Sequence, residues 1–489
     1  MESGDGRLIH RVRTLVGGVL LLAVLSHCMP PGGVLLLPLL LTLFVRCQES
    51  DPKWSLALSL TLWAGASALL LSTLNGPPFA FAIDYDILAF ENTRCASAWT
   101  WQMRWAAWVV VIGGHLLTWK RFSPAWGRTG FLLCLAISLV ARLWTLSPEM
   151  LTAFSRVLPD GYVHDHFLYQ EQWRQMKLGH DYYEAAREGF LHDKRGFGTT
   201  VRPPMMFWMW SLLPMPPITL YIAFTAIAVI SLGAIYLLAR ELTTPERALL
   251  APALLAPQYA YAGASALYLF IEYWVAPLAM VSIIMLMRGA PRRSLWLALL
   301  CSLMREFMVF LLLGVSLAVL VRERRRAVVP LVLCGSIWTI YYSVHLEWSR
   351  WVLPPNALGA WSLWQAFHQG GWDHLYACLK IGSHLLDHTP WIVALIVIAG
   401  AMGLGLLRKE LPRPLWWGWI VTVMPYWGIF LVLGHAPVVV GSQRVYGAEP
   451  WGTLLLFWWF ALATRGLGEA AKTKEARATA HACALDGAE

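Results

Sequence analysis

The chain has 489 residues, of which 58% are hydrophobic and 14% are charged, with a formal net charge of +9. An ordinary soluble domain is about 25% charged, so this composition excludes a water-soluble globular fold. The arginines and lysines lie in short clusters between apolar runs. That pattern is typical of the cytoplasmic loops of membrane proteins and argues against a partner that is a nucleic acid.

Apolar runs of roughly 15 to 22 residues follow one another along the chain, close to the length that spans a bilayer. Only helices and closed barrels satisfy the backbone in hydrocarbon, and these runs are continuous rather than alternating, so helices are predicted. The first run follows Arg7, Arg11 and Arg13 and resembles a signal peptide. Because a second run follows at once and no small-residue cleavage site stands out, we interpret it as a retained signal anchor.

The apolar runs predict about fourteen spans. If the basic N terminus is cytoplasmic, these spans alternate in direction from that side. In chain order they are 14–29, 34–46, 54–74, 105–119, 129–146, 218–239, 249–263, 273–287, 294–304, 307–321, 327–343, 390–407, 415–434 and 451–464. Between them lie two long outer loops, 147–203 and 344–388, and the first is the most polar part of the protein. Residues 204–213 are too short to span and predict an interfacial or re-entrant segment.

The spans divide the chain into N-terminal transmembrane helices (1–128), a transmembrane core (129–464) and a tail (465–489). The tail is polar and has no apolar stripe, so we expect it to be cytoplasmic and disordered. The sequence contains no CxxC pair, Walker motif or Gly-rich phosphate loop, so use of ATP by this chain is not predicted. Four cysteines lie inside apolar runs and are interpreted as packing residues: Cys28, Cys134, Cys301 and Cys334.

The predicted topology places four charged residues that are remote in sequence on the outer side: Asp165, Glu272, Arg305 and Arg444. Charges at the mouth of an apolar bundle are costly unless they pair or bind a polar ligand, so they are candidates for function. Each also has a structural interpretation. Asp165 suits a helix N-cap and Glu272 a solvated helix end. Arg305 suits a salt bridge with Glu306 or snorkelling, and Arg444 suits snorkelling.

The loop sequence HDHFLYQEQWRQMKLGHDYYEAAREGF, continued by GTTVRPPMMFW, resembles the GT-C superfamily of polyprenol-phosphate-sugar-dependent glycosyltransferases. Protein O-mannosyltransferases and lipid A aminoarabinose transferases belong to the same class. These families have an acid, a Tyr about four residues later, a helix ending in Gly, and a basic residue before two prolines. The matching residues are Asp165, Tyr169, Gly179, Arg202, Pro203 and Pro204.

Three further segments extend the resemblance over residues 129–464. YLFIEYW has an acid that opens a returning helix, LMREFMVF has a basic residue, and GSQRVYGAEPW is similar to a late R-x-Y-x-x-x-P segment. They contribute Glu272, Arg305, Arg444 and Tyr446. The chain departs from the family where His166, rather than a second acid, follows Asp165, and where Arg rather than Lys precedes the prolines.

The resemblance implies an all-α integral membrane protein, a GT-C-like bundle of about 12 to 14 transmembrane helices whose extracytoplasmic loop 147–203 carries short amphipathic helices. It implies transfer of a sugar from a polyprenyl-phosphate donor to a glycan, glycolipid or protein acceptor. Asp165 is then the general base and Glu272 assists it or orients the acceptor. Residues expected to hold the donor phosphate are Arg202, Arg305 and Arg444. Residues expected to bind substrate are Tyr169, His164, His166 and Tyr446.

His164 and His166 are two residues apart and no other His or Cys lies at ligand spacing, so no metal site is assigned. A divalent ion such as Mg or Mn stays open, because some GT-C enzymes use one. The alternative function is a transporter or flippase for lipid-linked saccharides, which predicts inverted repeats or broken helices that the sequence does not show. A scaffold subunit would leave the outer acids without a role. The excess of Arg over Lys favours a bacterial inner membrane, with the active site on the extracytoplasmic face.

Overall fold

The computed structural model describes residues 4–28, 36–74, 124–153, 165–190, 201–215, 218–241, 244–264 and 267–352, together with Trp416. This part of the chain is mostly helical and contains no strand, in agreement with the predicted all-α class. Four predicted spans lie outside the described residues, apart from Trp416: 105–119, 390–407, 415–434 and 451–464. The tail and the residues His164, Arg444 and Tyr446 also lie outside them.

Each described helix follows one of the apolar runs or part of the polar loop. In chain order the helices are α1 Gly4–Cys28, α2 Leu36–Gln48, α3 Pro52–Leu74, α4 Pro124–Ala153, α5 Asp165–Lys177, α6 Tyr182–Phe190, α7 Met205–Ser211, α8 Ile218–Arg240, α9 Leu250–Ala264, α10 Ile271–Met287, α11 Pro291–Met304, α12 Val309–Glu323 and α13 Val328–Val352. Single 3-10 turns lie at Arg247–Leu249, Leu267–Leu269, Glu306–Met308 and Arg324–Ala327.

Three helical stretches of the described chain are long and apolar enough to cross a membrane: Ala125–Trp144, Ile218–Arg240 and Val309–Val352. About 20 residues suffice for one crossing, and the last stretch has 44 residues. Arg324, with φ of 52°, interrupts that stretch between α12 and α13. These stretches indicate a membrane-associated protein, while the larger count of 12–14 spans stays a prediction.

Two helices continue into segments predicted as loops. Helix α4 reaches Ala153 rather than 146, because residues 149–153 include Glu, Met, Leu and Ala, which favour helix although their polarity predicted a loop. Helix α13 reaches Val352 rather than 343. Its C-terminal half buries a stripe that contains Tyr342, His345 and Ser349, so polar residues continue the helix by packing inward. Both helices therefore run past residues 147 and 344, where the two outer loops were predicted to begin, and the membrane side of these segments stays a prediction.

Charged side chains collect at two opposite ends of the bundle. One end, called here the basic end, is where α2, α8, α10 and α12 finish, and its ion pairs are Arg11–Glu49, Arg128–Glu246, Arg288–Glu241 and Arg292–Glu323. At the other end α10, α12 and α7 begin and α11 and α13 finish. Between the two ends the buried side chains are predominantly aliphatic and aromatic. The polar loop helices α5 and α6 pack against α7 and α13 at this second end.

Candidate functional site

The candidate site is a network of charged and phenolic side chains from four segments at the second end of the bundle. Tyr169 lies on α5, Arg202 lies in the chain just before α7, and Glu272 lies in the first turn of α10. Arg305 and Glu306 form the turn between α11 and α12. Arg305 has extended backbone angles, φ −144° and ψ 122°, which end α11 and direct the chain back at this point.

Arg305 is the most buried charge of the network, with 1% of the residue exposed. Its Nε donates a short hydrogen bond to Glu272 Oε1, and its Nη1 donates to Glu306 Oε1 at 2.6 Å. Glu272 is itself only 3% exposed. Removing charges from water is costly unless they pair with good geometry, so the two carboxylates are what make burial of this guanidinium tolerable.

Arg202 joins the network from the loop side. Its Nε donates to Tyr169 Oη at 2.7 Å and its Nη1 donates to Glu306 Oε1 at 3.2 Å. The Tyr182 hydroxyl donates a short bond to the backbone carbonyl oxygen of Arg202. Arg202 is therefore held both through its side chain and through its backbone, and two arginines share one oxygen of Glu306.

Glu306 is the shared anion of the site. Burial raises the pKa of its carboxyl, but Arg305 and Arg202 outweigh burial, and the pKa is lowered below its ordinary value. The carboxylate is therefore ionised at neutral pH. Its side chain is 31% exposed, and among the described residues nothing donates a hydrogen bond to its buried Oε2. Among the residues that the structure describes, the network holds two arginines and two glutamates, whose formal charges cancel.

An aromatic wall flanks Arg202. His345 on α13 lies 3.2 Å through Nε2 from the Val201 carbonyl oxygen and 3.2 Å through Nδ1 from Tyr183 Oη. A carbonyl only accepts, so in the neutral ring Nε2 donates to Val201 and Nδ1 accepts from Tyr183. The Tyr183 ring stacks on Trp348 with centroids 5.5 Å apart. This wall couples α6 and α13 to the segment that carries Arg202.

The structure brings together four of the residues that the sequence predicted for the site: Tyr169, Arg202, Glu272 and Arg305. The solvated interpretation of Glu272 is wrong, because the residue is buried against Arg305. For Arg305 the predicted salt bridge with Glu306 is present, and snorkelling is wrong because the side chain is buried.

Asp165 is the first residue of α5, and neither its side chain nor that of His166 is described, so its two interpretations stay predictions. At the other end of α5, Gly179 has φ of 104°. Its N–H donates to the Met176 carbonyl and the N–H of His180 donates to the Gln175 carbonyl, which is a Schellman ending. The helix ends at the glycine, as the sequence predicted.

Two residues important to the geometry were not predicted as site residues. Glu306 was considered only as a structural partner of Arg305, although an adjacent Arg-Glu pair in an apolar turn was a usable signal. His345 fell in a segment predicted as a loop, and only the burial of α13 reveals it. Within the described ranges no group of three or more His, Cys, Asp or Glu side chains is arranged to hold a metal ion.

Two guanidinium groups that converge on one carboxylate oxygen form a site suited to an anion with several oxygens, such as a phosphate. Comparisons with protein families, with curated proteins and with solved structures found no match for this chain. The geometry of this network is therefore the observation on which a functional proposal rests.

Proposed function

We propose that this protein is a membrane glycosyltransferase that moves a sugar from a polyprenyl-phosphate donor to a glycan, glycolipid or protein acceptor on the extracytoplasmic face of a bacterial inner membrane. One observation carries the proposal: Arg202 and Arg305, from segments about one hundred residues apart, share the oxygen Glu306 Oε1 beside apolar helices. A lipid phosphate resembles that carboxylate in charge and in its oxygen acceptors, so it can replace Glu306 between the two guanidinium groups.

The chemistry requires a cation at the leaving group and a base at the nucleophile. The acceptor hydroxyl oxygen bonds to the anomeric carbon, the bond from that carbon to the phosphate oxygen breaks, and the lipid phosphate leaves with the electron pair. Arg202 and Arg305 stabilise the negative charge that grows on the leaving phosphate. A carboxylate takes the hydroxyl proton, and Asp165 is our candidate. The backbone positions of Asp165 and Tyr169 are four residues apart and so share a face of α5.

The two glutamates have different roles in this proposal. Glu272 holds Arg305 in place and is a positioning residue, since its Oε1 accepts from Arg305 Nε. Glu306 is the counter-ion of Arg202 and Arg305 and offsets the repulsion between these two like charges. Donor binding exchanges one anion for another at the arginines. We expect four further residues to complete the substrate site: Arg444, Tyr446, His164 and His166. The proposal is compatible with a divalent ion such as Mg or Mn but does not require one.

The experiment uses purified full-length protein in nanodiscs with a panel of polyprenyl-phosphate sugars and a mixture of glycan, glycolipid and protein acceptors. It measures both release of polyprenyl phosphate and binding of the donor. We expect Asp165→Asn to keep donor binding and to slow release at least about 100-fold, the range for loss of a general base. We expect Arg202→Gln to weaken donor binding. Arg174→Gln is the matched control, because Arg174 is an exposed arginine on α5 paired with Glu171.

The outcomes separate the competing functions. Release that is unchanged in both Asp165→Asn and Arg202→Gln removes these residues from the mechanism. The alternative, a transporter or flippase for lipid-linked saccharides, predicts donor binding and movement across liposome membranes without any release of polyprenyl phosphate. Arg202→Gln weakens binding under either function, whereas Asp165→Asn slows release only if the protein is a transferase.

A further inference from the structure

The two turns α10–α11 and α12–α13 lie side by side at the basic end. Helix α10 ends at Met287 and is followed by Gly289, whose φ of 85° allows a Schellman ending in which the Ala290 N–H donates to the Met285 carbonyl. The Nη2 of Arg322 lies 3.1 Å from where a Cβ on Gly289 would stand. Arg292 Nε also donates to Glu323 Oε2 at 3.1 Å. These contacts bring arginines from both turns together on one surface.

We define the arginine cluster as Arg288, Arg292, Arg293, Arg322, Arg324, Arg325 and Arg326, all of which are exposed. Two of them pair with acids, Arg288 with Glu241 and Arg292 with Glu323. The other five make no ion pair with an acid in the described part of the chain. Seven arginines and two glutamates leave a net charge of +5 on this surface. Repulsion among so many like charges is relieved by a bound anion.

Exposed apolar side chains begin directly beside the cluster. On α13, Val328, Val329 and Val332 are 49%, 67% and 60% exposed, and on α12, Leu320 and Val321 are 43% and 47% exposed. Both helices belong to the apolar stretch Val309–Val352. A ligand that fits this surface therefore carries negative charge at one end and hydrocarbon along the rest.

We propose that the arginine cluster binds the phosphate headgroup of an anionic phospholipid whose acyl chains lie along the exposed apolar side chains of α12 and α13. A nucleic acid or an acidic protein would satisfy the arginines but would leave the adjacent valines in water. A zwitterionic lipid would satisfy the valines but would bring no net charge. Only an anionic lipid satisfies both parts of the surface. This inference does not rest on the proposed glycosyltransferase activity.

The test compares phosphatidylglycerol with phosphatidylcholine by native mass spectrometry and by lipid titration of the full-length protein in neutral detergent. The variant Arg293→Gln/Arg325→Gln/Arg326→Gln removes charge from both turns, and it spares the positive φ of Arg324 and the packing of Arg322 on Gly289. Each arginine near an anionic surface strengthens binding about fivefold, so we expect phosphatidylglycerol affinity to fall about 100-fold. The control Arg174→Gln/Arg187→Gln/Arg350→Gln removes the same number of exposed arginines elsewhere, and we expect less than a twofold change.

A charge-preserving variant separates binding from folding. Arg293→Lys/Arg325→Lys/Arg326→Lys should retain phosphatidylglycerol at near wild-type affinity, and added salt should weaken wild-type binding. The proposal is overturned if the wild type binds the two lipids equally, or if the Gln triple variant binds phosphatidylglycerol as tightly as the wild type. It is also overturned if inorganic phosphate or a single-stranded oligonucleotide competes as well as phosphatidylglycerol does, since neither has an acyl chain.

Discussion

Substitution of Arg305 by Met should destabilise the protein more than any exposed charge substitution. Arg305 and Glu272 are 1% and 3% exposed and form a buried pair, and Arg305 also donates to Glu306. Methionine fills much of the arginine volume but leaves the Glu272 carboxylate without the cation that it contacts. Removal of one partner from a buried ion pair costs about 3 to 5 kcal/mol, because the remaining charge is desolvated and uncompensated.

Cys301 provides a local reporter for this cost. Its side chain is fully buried, and its carbonyl accepts from the backbone N–H of Arg305. A thiol-reactive fluorophore labels such a cysteine only when the segment opens, so the labelling rate follows the population of the open form. A cost of about 3 kcal/mol corresponds to labelling about 100-fold faster, at about 1.4 kcal/mol per factor of ten. The seven other cysteines are changed to serine so that Cys301 reports alone: Cys28, Cys47, Cys95, Cys134, Cys334, Cys378 and Cys483.

A reversal of sign makes the prediction specific. In the wild type, Glu272→Gln should speed labelling of Cys301, because Arg305 loses a charge-assisted bond worth about 1.5 to 3 kcal/mol. In the Arg305→Met background the same substitution should slow labelling, because it removes an unpaired buried charge. Arg350→Gln is the control, since Arg350 pairs with Glu347 on the surface and exposed pairs contribute about 0 to 1 kcal/mol. If Glu272→Gln changes labelling equally in both backgrounds, the two residues are not coupled and the reasoning fails.

Three further predictions concern Tyr169, Glu306 and Gly179. Tyr169→Phe removes the hydroxyl that accepts a hydrogen bond from Arg202. A hydrogen bond to a charged group is worth about 1.5 to 3 kcal/mol, so the affinity for the donor, measured by titration, should fall at least about tenfold. Unchanged affinity would remove Tyr169 from the site. The pKa of Glu306 is lowered in the folded protein, so the stability that its ionised carboxylate contributes is present above the ordinary carboxyl pKa and is lost as pH falls through the folded value. The melting temperature of the wild type should therefore fall below about pH 5, and Glu306→Gln should make that fall less steep. An unchanged slope would contradict this. Gly179→Ala should lower the melting temperature, because the φ of 104° at Gly179 is strained for a residue with a side chain. Gly335→Ala, at a position within α13 where an added Cβ meets no other atom, should raise the melting temperature slightly. Equal effects at both glycines would refute the role of φ.

The sequence predicted those site residues whose charge lies next to an apolar run. Glu272 and Arg305 stand out because charged residues beside apolar runs need partners, whereas Arg202 was expected from the resemblance. The structure joins all three through hydrogen bonds. Glu306 was missed as the shared anion because its role depends on the extended backbone of Arg305, which makes both of these neighbouring side chains part of one network. His345 was missed because polarity alone does not distinguish a loop from a helix with a buried polar stripe.

The sequence by itself determined the helical class and the apolar stretches long enough to cross a membrane, because hydropathy and backbone hydrogen bonding in a helix are local properties of consecutive residues. Only the tertiary structure decided which charges neutralise one another. An ion pair requires atoms within about 4 Å. Helix packing sets which segments approach that closely, and it brings together the segments that carry Tyr169, Arg202, Glu272 and Arg305. The same packing gives the arginines at one end of the bundle acidic partners, whereas it leaves most of the arginine cluster at the other end exposed and without such partners in the described part of the chain.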